Sequence, residues 1–212
     1  MDFNRILTEF PGQPITHQLL ISLLKNYRRP NDKIKALKSE GVIESIKKGL
    51  YIAGPKITSS RPESALLANH IYGPSYVSME TALSYYGLIP ERVYGITSMT
   101  PKASKEFTTP AGIFSYTHLP LPYYSFGLNR VKLAEQQRAI IASPEKALCD
   151  KIISTPGLLI RSTVQAAAYL IEDLRMEEAA LKELGIAMIS TWLDDAPKKE
   201  SLGMVIKMIQ NL

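Results

Sequence analysis

The sequence predicts an α+β chain, and three observations carry that prediction. Residues 16–53 hold two helical apolar patterns, a glycine, and two short apolar runs on either side of a basic turn. Residues 93–142 break into short β-type segments separated by Gly, Pro and small polar residues. From Ser143 onward the pattern is helical. The expected architecture is an N-terminal winged helix-turn-helix over 1–56. A mixed α/β domain follows over 61–212, with a small central sheet and a helical C-terminal part.

The first elements follow from local chemistry. Residues 3–10, FNRILTEF, predict a short amphipathic helix with Phe3, Ile6, Leu7 and Phe10 on one side, broken by Pro11-Gly12-Gln13-Pro14. Thr16 suits the N-cap of a helix running to about Leu24, with Leu19, Leu20, Leu23 and Leu24 as its apolar stripe. Lys25 to Arg29 form a turn, and Pro30 fits the first position of the next helix. Ile34 and Leu37 mark that helix's buried face, and Gly41 stands where a helix ends on a glycine. Val42 to Ile46 then read as a strand, Lys47-Lys48-Gly49 as a basic turn, and Leu50-Tyr51-Ile52 as the returning strand.

The helix opened by Pro30 has a distinctive outer face. With Ile34 at the centre of the buried side and about 100° per residue, Arg28, Asp32, Lys35, Ala36 and Ser39 fall outward. Arg29, Lys33, Lys38 and Asn31 flank them. Small, polar and cationic residues suit a helix entering a major groove. Asn31, Lys35, Ala36 and Ser39 are expected to face bases. Arg28, Arg29, Lys33, Lys38, Lys47 and Lys48 are expected to hold phosphates, the last two from the wing. The plainer alternative is a solvated charged face. The order of helix, glycine and basic-tipped hairpin favours DNA.

Charge placement agrees with that reading. Residues 1–60 carry ten Lys/Arg against five Asp/Glu, whereas residues 61–212 carry fifteen of each. All of the chain's +5 therefore sits in the segment expected to bind nucleic acid. Apolar residues make up 45% of the chain, a globular composition. No apolar run approaches the ~20 residues of a membrane span, and the start lacks the pattern of a secretory signal. The single cysteine, Cys149, forms no internal disulfide and fits a reducing cytoplasm.

Beyond residue 60 the punctuation is clear. Gly54 to Ser60 reads as a linker. A helix is expected from Pro62 to Ile71, and a second after Ser78, ended by Gly87. Strands are expected over 93–99, 106–109 and 112–119, with a turn at 109–112 between Phe107 and Phe114, and again near 129–134 and 139–142. Ser143-Pro144-Glu145-Lys146 is a strong helix start: a Ser N-cap, Pro at the first position and an acid in the first turn. Helices follow at about 162–175, 177–184, 188–193 and 201–212.

Few residues suggest catalysis. There is no GxxxxGK[ST] phosphate loop and no GxGxxG turn. His17, His70 and His118 are scattered, and Cys149 among Ala147, Leu148, Ile152 and Ile153 reads as a core thiol. A nuclease of the D…(D/E)xK kind needs a lysine beside its carboxylates, but Glu106 is followed by Phe107 and Thr108. Asp150-Lys151 lies on a helix, where Asp150 is expected to bond locally or face water. Glu172-Asp173 and Asp194-Asp195 read as solvated pairs. The tyrosines between 72 and 124 read as packing residues. No enzyme, cofactor or metal is expected. The alternative function is a nucleic-acid-processing enzyme, nuclease-like in its second domain, delivered by the basic winged helix.

Three stretches carry a family resemblance: GPSYVSMETALSYYGLIPE (73–91), VYGITSMTPKASKEFTTPAGIFSYTHL (93–119) and IASPEKALCDKI (141–152). Ser78, Glu80, Thr81, Ala82, Leu83, Gly87 to Glu91, Thr97, Lys102, Phe107, Pro144 to Leu148 and Asp150 match its pattern. The chain resembles the AbiEi family of antitoxins, transcriptional regulators of type IV (abortive infection) toxin–antitoxin systems. Lys48-Gly49-Leu50-Tyr51 resembles the end of that family's first domain. The segment 99–105 departs from the pattern in having fewer arginines. The resemblance implies a repressor that binds inverted repeats in its own promoter. It also implies an antitoxin that counters a nucleotidyltransferase-like toxin, with no stable toxin–antitoxin complex assumed.

Overall fold

The computed structural model describes residues 7–8, 11–91 and 93–212. Leu7 and Thr8 are helical and Leu7 is buried; the rest of the helix expected over 3–10 lies outside the described residues. Among the described residues, no helix is long and apolar enough to cross a membrane.

Residues 15–53 build a small sheet against two helices. Helix α1 (His17–Leu23) is capped as expected: the Thr16 hydroxyl accepts from the Leu19 N–H at 3.2 Å. Its leucine stripe is narrower than predicted. Leu20 and Leu24 are buried, Leu23 is half-buried, and Leu19 is exposed, because so short a helix turns one i, i+4 row inward. Helix α2 (Pro30–Ser39) buries Ile34 and Leu37. It ends where Gly41 adopts φ +71° and the Val42 N–H reaches back to the Leu37 carbonyl at 2.9 Å. Strands β2 (Ile43–Lys47) and β3 (Leu50–Ala53) form the predicted hairpin. Strand β1 (Ile15–Thr16) adds to β3's other edge, giving the antiparallel order β1-β3-β2. The sequence did not announce β1, which hides behind Pro11–Pro14.

Strand β3 has no free face. Tyr51 and Ala53 pack with Leu20, Leu24, Ile34, Leu37 and Ile43. Leu50 and Ile52, pointing the other way, join Ile46 in the larger cluster that includes Leu67, Ile71 and Tyr116. The segment expected to be a linker is pinned as well. The Gly54 N–H donates to the Val42 carbonyl at 2.8 Å, and Ile57 packs on the first cluster. Arg61 grips Glu44 of β2 with two bonds of 2.6 and 3.1 Å, which holds the Glu44 carboxyl below its ordinary value.

Gly54 is where backbone meets backbone. A Cβ there would stand 2.2 Å from the Gly41 carbonyl oxygen and 2.9 Å from its carbon. Gly54→Ala is therefore expected to cost about 1–3 kcal/mol, the usual overpacking range, read as a lower midpoint in urea denaturation. An unchanged midpoint would mean that the Gly41 turn yields freely.

The second sheet is mixed, in the order β6-β7-β5-β4-β9-β8. Its members are β4 (Tyr76–Val77), β5 (Ile96–Thr100), β6 (Lys105–Thr109), β7 (Gly112–His118), β8 (Leu128–Ala134) and β9 (Gln137–Ala142). The β5–β7 and β4–β9 pairs are parallel. The 107/114 hairpin forms, with Phe107 directly opposite Phe114. Strand β4 was not foreseen, and β5 starts three residues later than expected.

Helices cover this sheet. Helix α3 (Ser64–Ile71) begins two residues after Pro62, and α4 (Met79–Tyr85) follows Ser78. Helix α5 (Pro144–Ser154) starts as predicted, the Ser143 hydroxyl accepting from the Lys146 N–H at 3.2 Å. Helix α6 (Thr163–Ala167) continues into a π-helical segment, Ala168–Asp173. Helices α7 (Glu178–Lys182), α8 (Ile186–Trp192) and α9 (Lys199–Gln210) close the chain. The architecture is α+β, with a mixed sheet and helices.

Candidate nucleic-acid interface

Helix α2 presents its non-buried side as a cationic surface. Arg28, Arg29, Asn31, Lys35, Lys38 and Ser39 are exposed, and Lys33 and Ala36 are half-buried. Arg28 precedes the helix, whose N-cap is Arg29. Asp32 sits among these groups, at 3.9 Å from both Arg29 and Lys35, and Glu40 is exposed at the helix's C-cap. At that separation and with the Lys35 side chain 82% exposed, these are loose surface pairs that a phosphate or a base edge can displace. Lys33 lies over the Tyr27 ring, 5.8 Å from its centroid. The Ser39 hydroxyl donates to the Ala36 carbonyl at 2.8 Å, so its lone pairs remain to accept.

The two lysines at the β2–β3 turn differ. Lys48 is exposed at the turn, where Gly49 supplies φ +84° and a Cβ on that glycine would meet nothing within 4 Å. Lys47 ends β2 after a register shift between Ser45 and Lys47. Its ammonium stands 5.2 Å from the Phe107 ring centroid on β6, in the second sheet. Burial lowers its pKa, and the positive charges of Lys105 and Lys102 lower it further. Lys47 therefore faces the junction of the two sheets, not the open tip of the hairpin. Nothing in its local sequence signals this.

Some of the residues that carry the resemblance, Ser78, Glu80, Thr97, Lys146 and Asp150, meet at the start of α4. The Ser78 hydroxyl donates to Asp150 Oδ2 at 2.7 Å, so it does not cap its own helix. Tyr76 donates to the same oxygen at 2.9 Å. The Thr97 hydroxyl donates to the Ser78 carbonyl at 2.7 Å, and Glu80 pairs with Lys151. Asp150 bonds locally to Lys146 at 3.0 Å, but both side chains are fully buried; the expectation that Asp150 could face water is corrected. The Lys146 ammonium also donates to the Tyr123 carbonyl at 2.9 Å and lies 3.3 Å from that ring's centroid. Burial pushes Asp150 up and Lys146 down, and the pair is net neutral whichever group holds the proton. These contacts tie β4, α4, β5 and α5 together as a structural knot.

Other chemistry is scarce. Cys149 is buried, its thiol pushed up to about 12 by that burial, so no thiolate forms near neutral pH. Glu172, Asp173, Asp194 and Asp195 are exposed. Glu106 is exposed on β6, opposite Ser115. Among the described residues, no three His, Cys, Asp or Glu side chains are placed to hold a metal. Tyr76, Tyr116 and Tyr123 are buried packing residues, whereas Tyr94 is exposed.

No family model matches the sequence, and none of the curated proteins matches it. Among solved structures, the RV2827C protein from Mycobacterium tuberculosis is similar, with a TM-score of 0.64 at 14% identity. The match covers 98% of this chain and 74% of that one. At that identity the likeness concerns the fold, and the chain shares with that mycobacterial protein an α+β arrangement of a mixed sheet and helices.

Proposed function

We propose that residues 1–56 are a winged helix that binds double-stranded DNA, and that the protein is a transcriptional autorepressor. On the resemblance to AbiEi antitoxins, it also counters a nucleotidyltransferase-like toxin of a type IV system, acting in the cytoplasm and without assumed contact. The observation that carries the DNA reading is the surface of α2. Arg29, Asn31, Lys35, Lys38 and Ser39 are exposed around the loosely paired Asp32, with Glu40 exposed at the helix's C-cap, and a basic hairpin turn follows. Asn31, Lys35, Ala36 and Ser39 would read bases. Arg28, Arg29, Lys33, Lys38 and Lys48 would hold phosphates. The excess positive charge of residues 1–60 supports the same reading.

The test is a mobility shift of the full chain with the DNA upstream of its own gene against scrambled DNA of equal length. At about 150 mM salt, non-specific binding is suppressed. Selective retardation of the upstream DNA is the expected result. Equal retardation of both would reduce the domain to a generic anchor and overturn autorepression.

A further inference from the structure

The six-stranded sheet ends in an open edge. Strand β8 is its last member and pairs only with β9. The Ile140 N–H donates to Asn69 Oδ1 at 2.7 Å, and the Ile140 carbonyl accepts from Asn69 Nδ2 at 3.2 Å, so this residue turns its backbone away from β8. Arg130, directly opposite, therefore turns its own N–H and carbonyl outward, and Leu128 and Lys132 do the same by alternation. Among the described residues nothing pairs with that row. The hairpin that carries it is firmly seated. Gln13 Nε2 donates to the Gln136 carbonyl at 2.6 Å. The Gln137 side chain accepts from the Glu63 N–H at 2.7 Å and donates to the Arg61 carbonyl at 3.1 Å. An edge held this way offers its hydrogen bonds with little ordering cost.

The two faces beside this edge differ. Arg130 and Lys132 project on one face, and Arg138 of β9 stands directly opposite Lys132, a like-charge pair that costs stability. All three are exposed, and among the described residues none of them forms an ion pair, not even with Glu135 in the turn. Val131 and Leu133 project on the other face, half-buried and packed against the core. A strand laid along β8 therefore needs acids on one side and apolar residues on the other, in alternation. A second copy of β8 lacks that pattern, because the register that pairs all seven residues sets Arg130 against Lys132. A nucleic-acid duplex would use the cations but leave the backbone row and the apolar face idle.

We propose that β8 is a docking edge for a partner protein, which adds to it an antiparallel strand of alternating acidic and apolar residues. The acids meet Arg130, Lys132 and Arg138, and the apolar side chains extend the cover over Val131 and Leu133. The incoming backbone completes the row left open at Leu128, Arg130 and Lys132. This gives residues 61–212 a protein ligand and does not depend on the DNA-binding reading.

The experiment titrates the full chain into a fluorescein-labelled peptide of about eight residues, a strand's length, in which glutamate and valine alternate, and reads anisotropy. The control has the same composition with the glutamates and valines in two blocks. Selective binding of the alternating peptide is the expected result. Arg130→Ala/Lys132→Ala should weaken it by up to about fivefold per cation removed, the scale of exposed ion pairs. Arg130→Pro should weaken it by a further two- to tenfold, roughly, relative to Arg130→Ala, because it also deletes an outward N–H. An edge strand tolerates proline there, and thermal melting checks the fold. A second measurement needs no variant. The alternating peptide N-methylated at its glutamate amides, which face β8 in an antiparallel pair, should not bind the wild-type chain. Unchanged affinity of the methylated peptide, or equal binding of the alternating and block peptides, would overturn strand addition and leave an electrostatic contact only. Failure of either peptide to bind would also overturn it, and a loss of affinity for random duplex DNA in Arg130→Ala/Lys132→Ala would then assign the cations to nucleic acid.

Discussion

Asp150→Asn is expected to destabilise the protein by about 3–5 kcal/mol, the cost of leaving a buried charge without its partner. The structure explains the size. Lys146 is fully buried and its only carboxylate within 4.0 Å among the described residues is Asp150. An amide keeps the volume and can still accept from Tyr76 and Ser78, but it removes the counter-charge. Total stability of a domain is about 5–15 kcal/mol, so the loss is a large share. The pH dependence of the variant gives a second check. Lys146 without Asp150 would have its folded pKa depressed below the unfolded value of about 10.4. Between those two values the unfolded chain binds more protons, so the variant's stability rises as pH rises through that window. The gap in melting temperature between variant and wild type should narrow at alkaline pH. Adding Lys146→Met should recover part of the loss, with a coupling of about 0.5–3 kcal/mol in the double-mutant cycle. An Asp150→Asn protein as stable as the wild type would mean that the lysine is neutral already and the pair contributes nothing.

The second large effect is expected on DNA. Lys35→Ala should weaken binding to the upstream DNA by roughly 1–3 kcal/mol, about five- to 150-fold, and spare scrambled DNA. Lys35 is the most exposed cation of the α2 ion pairs and sits mid-helix, where a side chain reaches base edges. Arg28 lies before the helix and Lys48 at the turn, positions that track the backbone. Alanine at either should weaken both DNAs alike and lower the salt slope by ~0.9 each. Salt titrations of the three single variants separate these roles. An equal loss on both DNAs from Lys35→Ala would make Lys35 a phosphate contact.

Local punctuation was legible in the sequence. Pro30, Gly41 and the apolar runs around Lys47–Gly49 placed α2 and the hairpin, and Ser143-Pro144 placed α5, because caps and breakers act within a few residues. Phe107 and Phe114 placed the β6–β7 hairpin for the same reason. Strands β1 and β4 were not legible. Each has two residues, too few for a period, and each is defined by distant partners such as Ile141 for Val77. Lys146 and Asp150 stand i, i+4 on a helix, the spacing of ordinary surface pairs. Remote residues bury them, Tyr76, Ser78, Tyr123 and Gly127 among them. The same holds for Lys47. Its own neighbours read as a wing tip, and the Lys102–Phe107 segment that redirects it lies more than fifty residues away.

The run Leu50-Tyr51-Ile52-Ala53 held an unread signal, since four apolar residues in a row suit a strand covered on both sides. Its consequence concerns reach. In a protein whose reading helix hangs from a tether, tether length sets how far that helix ranges from the body. Here the separation between α2 and the six-stranded sheet is set by side-chain volumes on the two faces of β3. Lengthening the exposed part of residues 55–60 adds slack without adding range. Leu50 and Ile52 sit in the larger core, so the spacing between the two parts is set there, as with a calliper, and not along the chain.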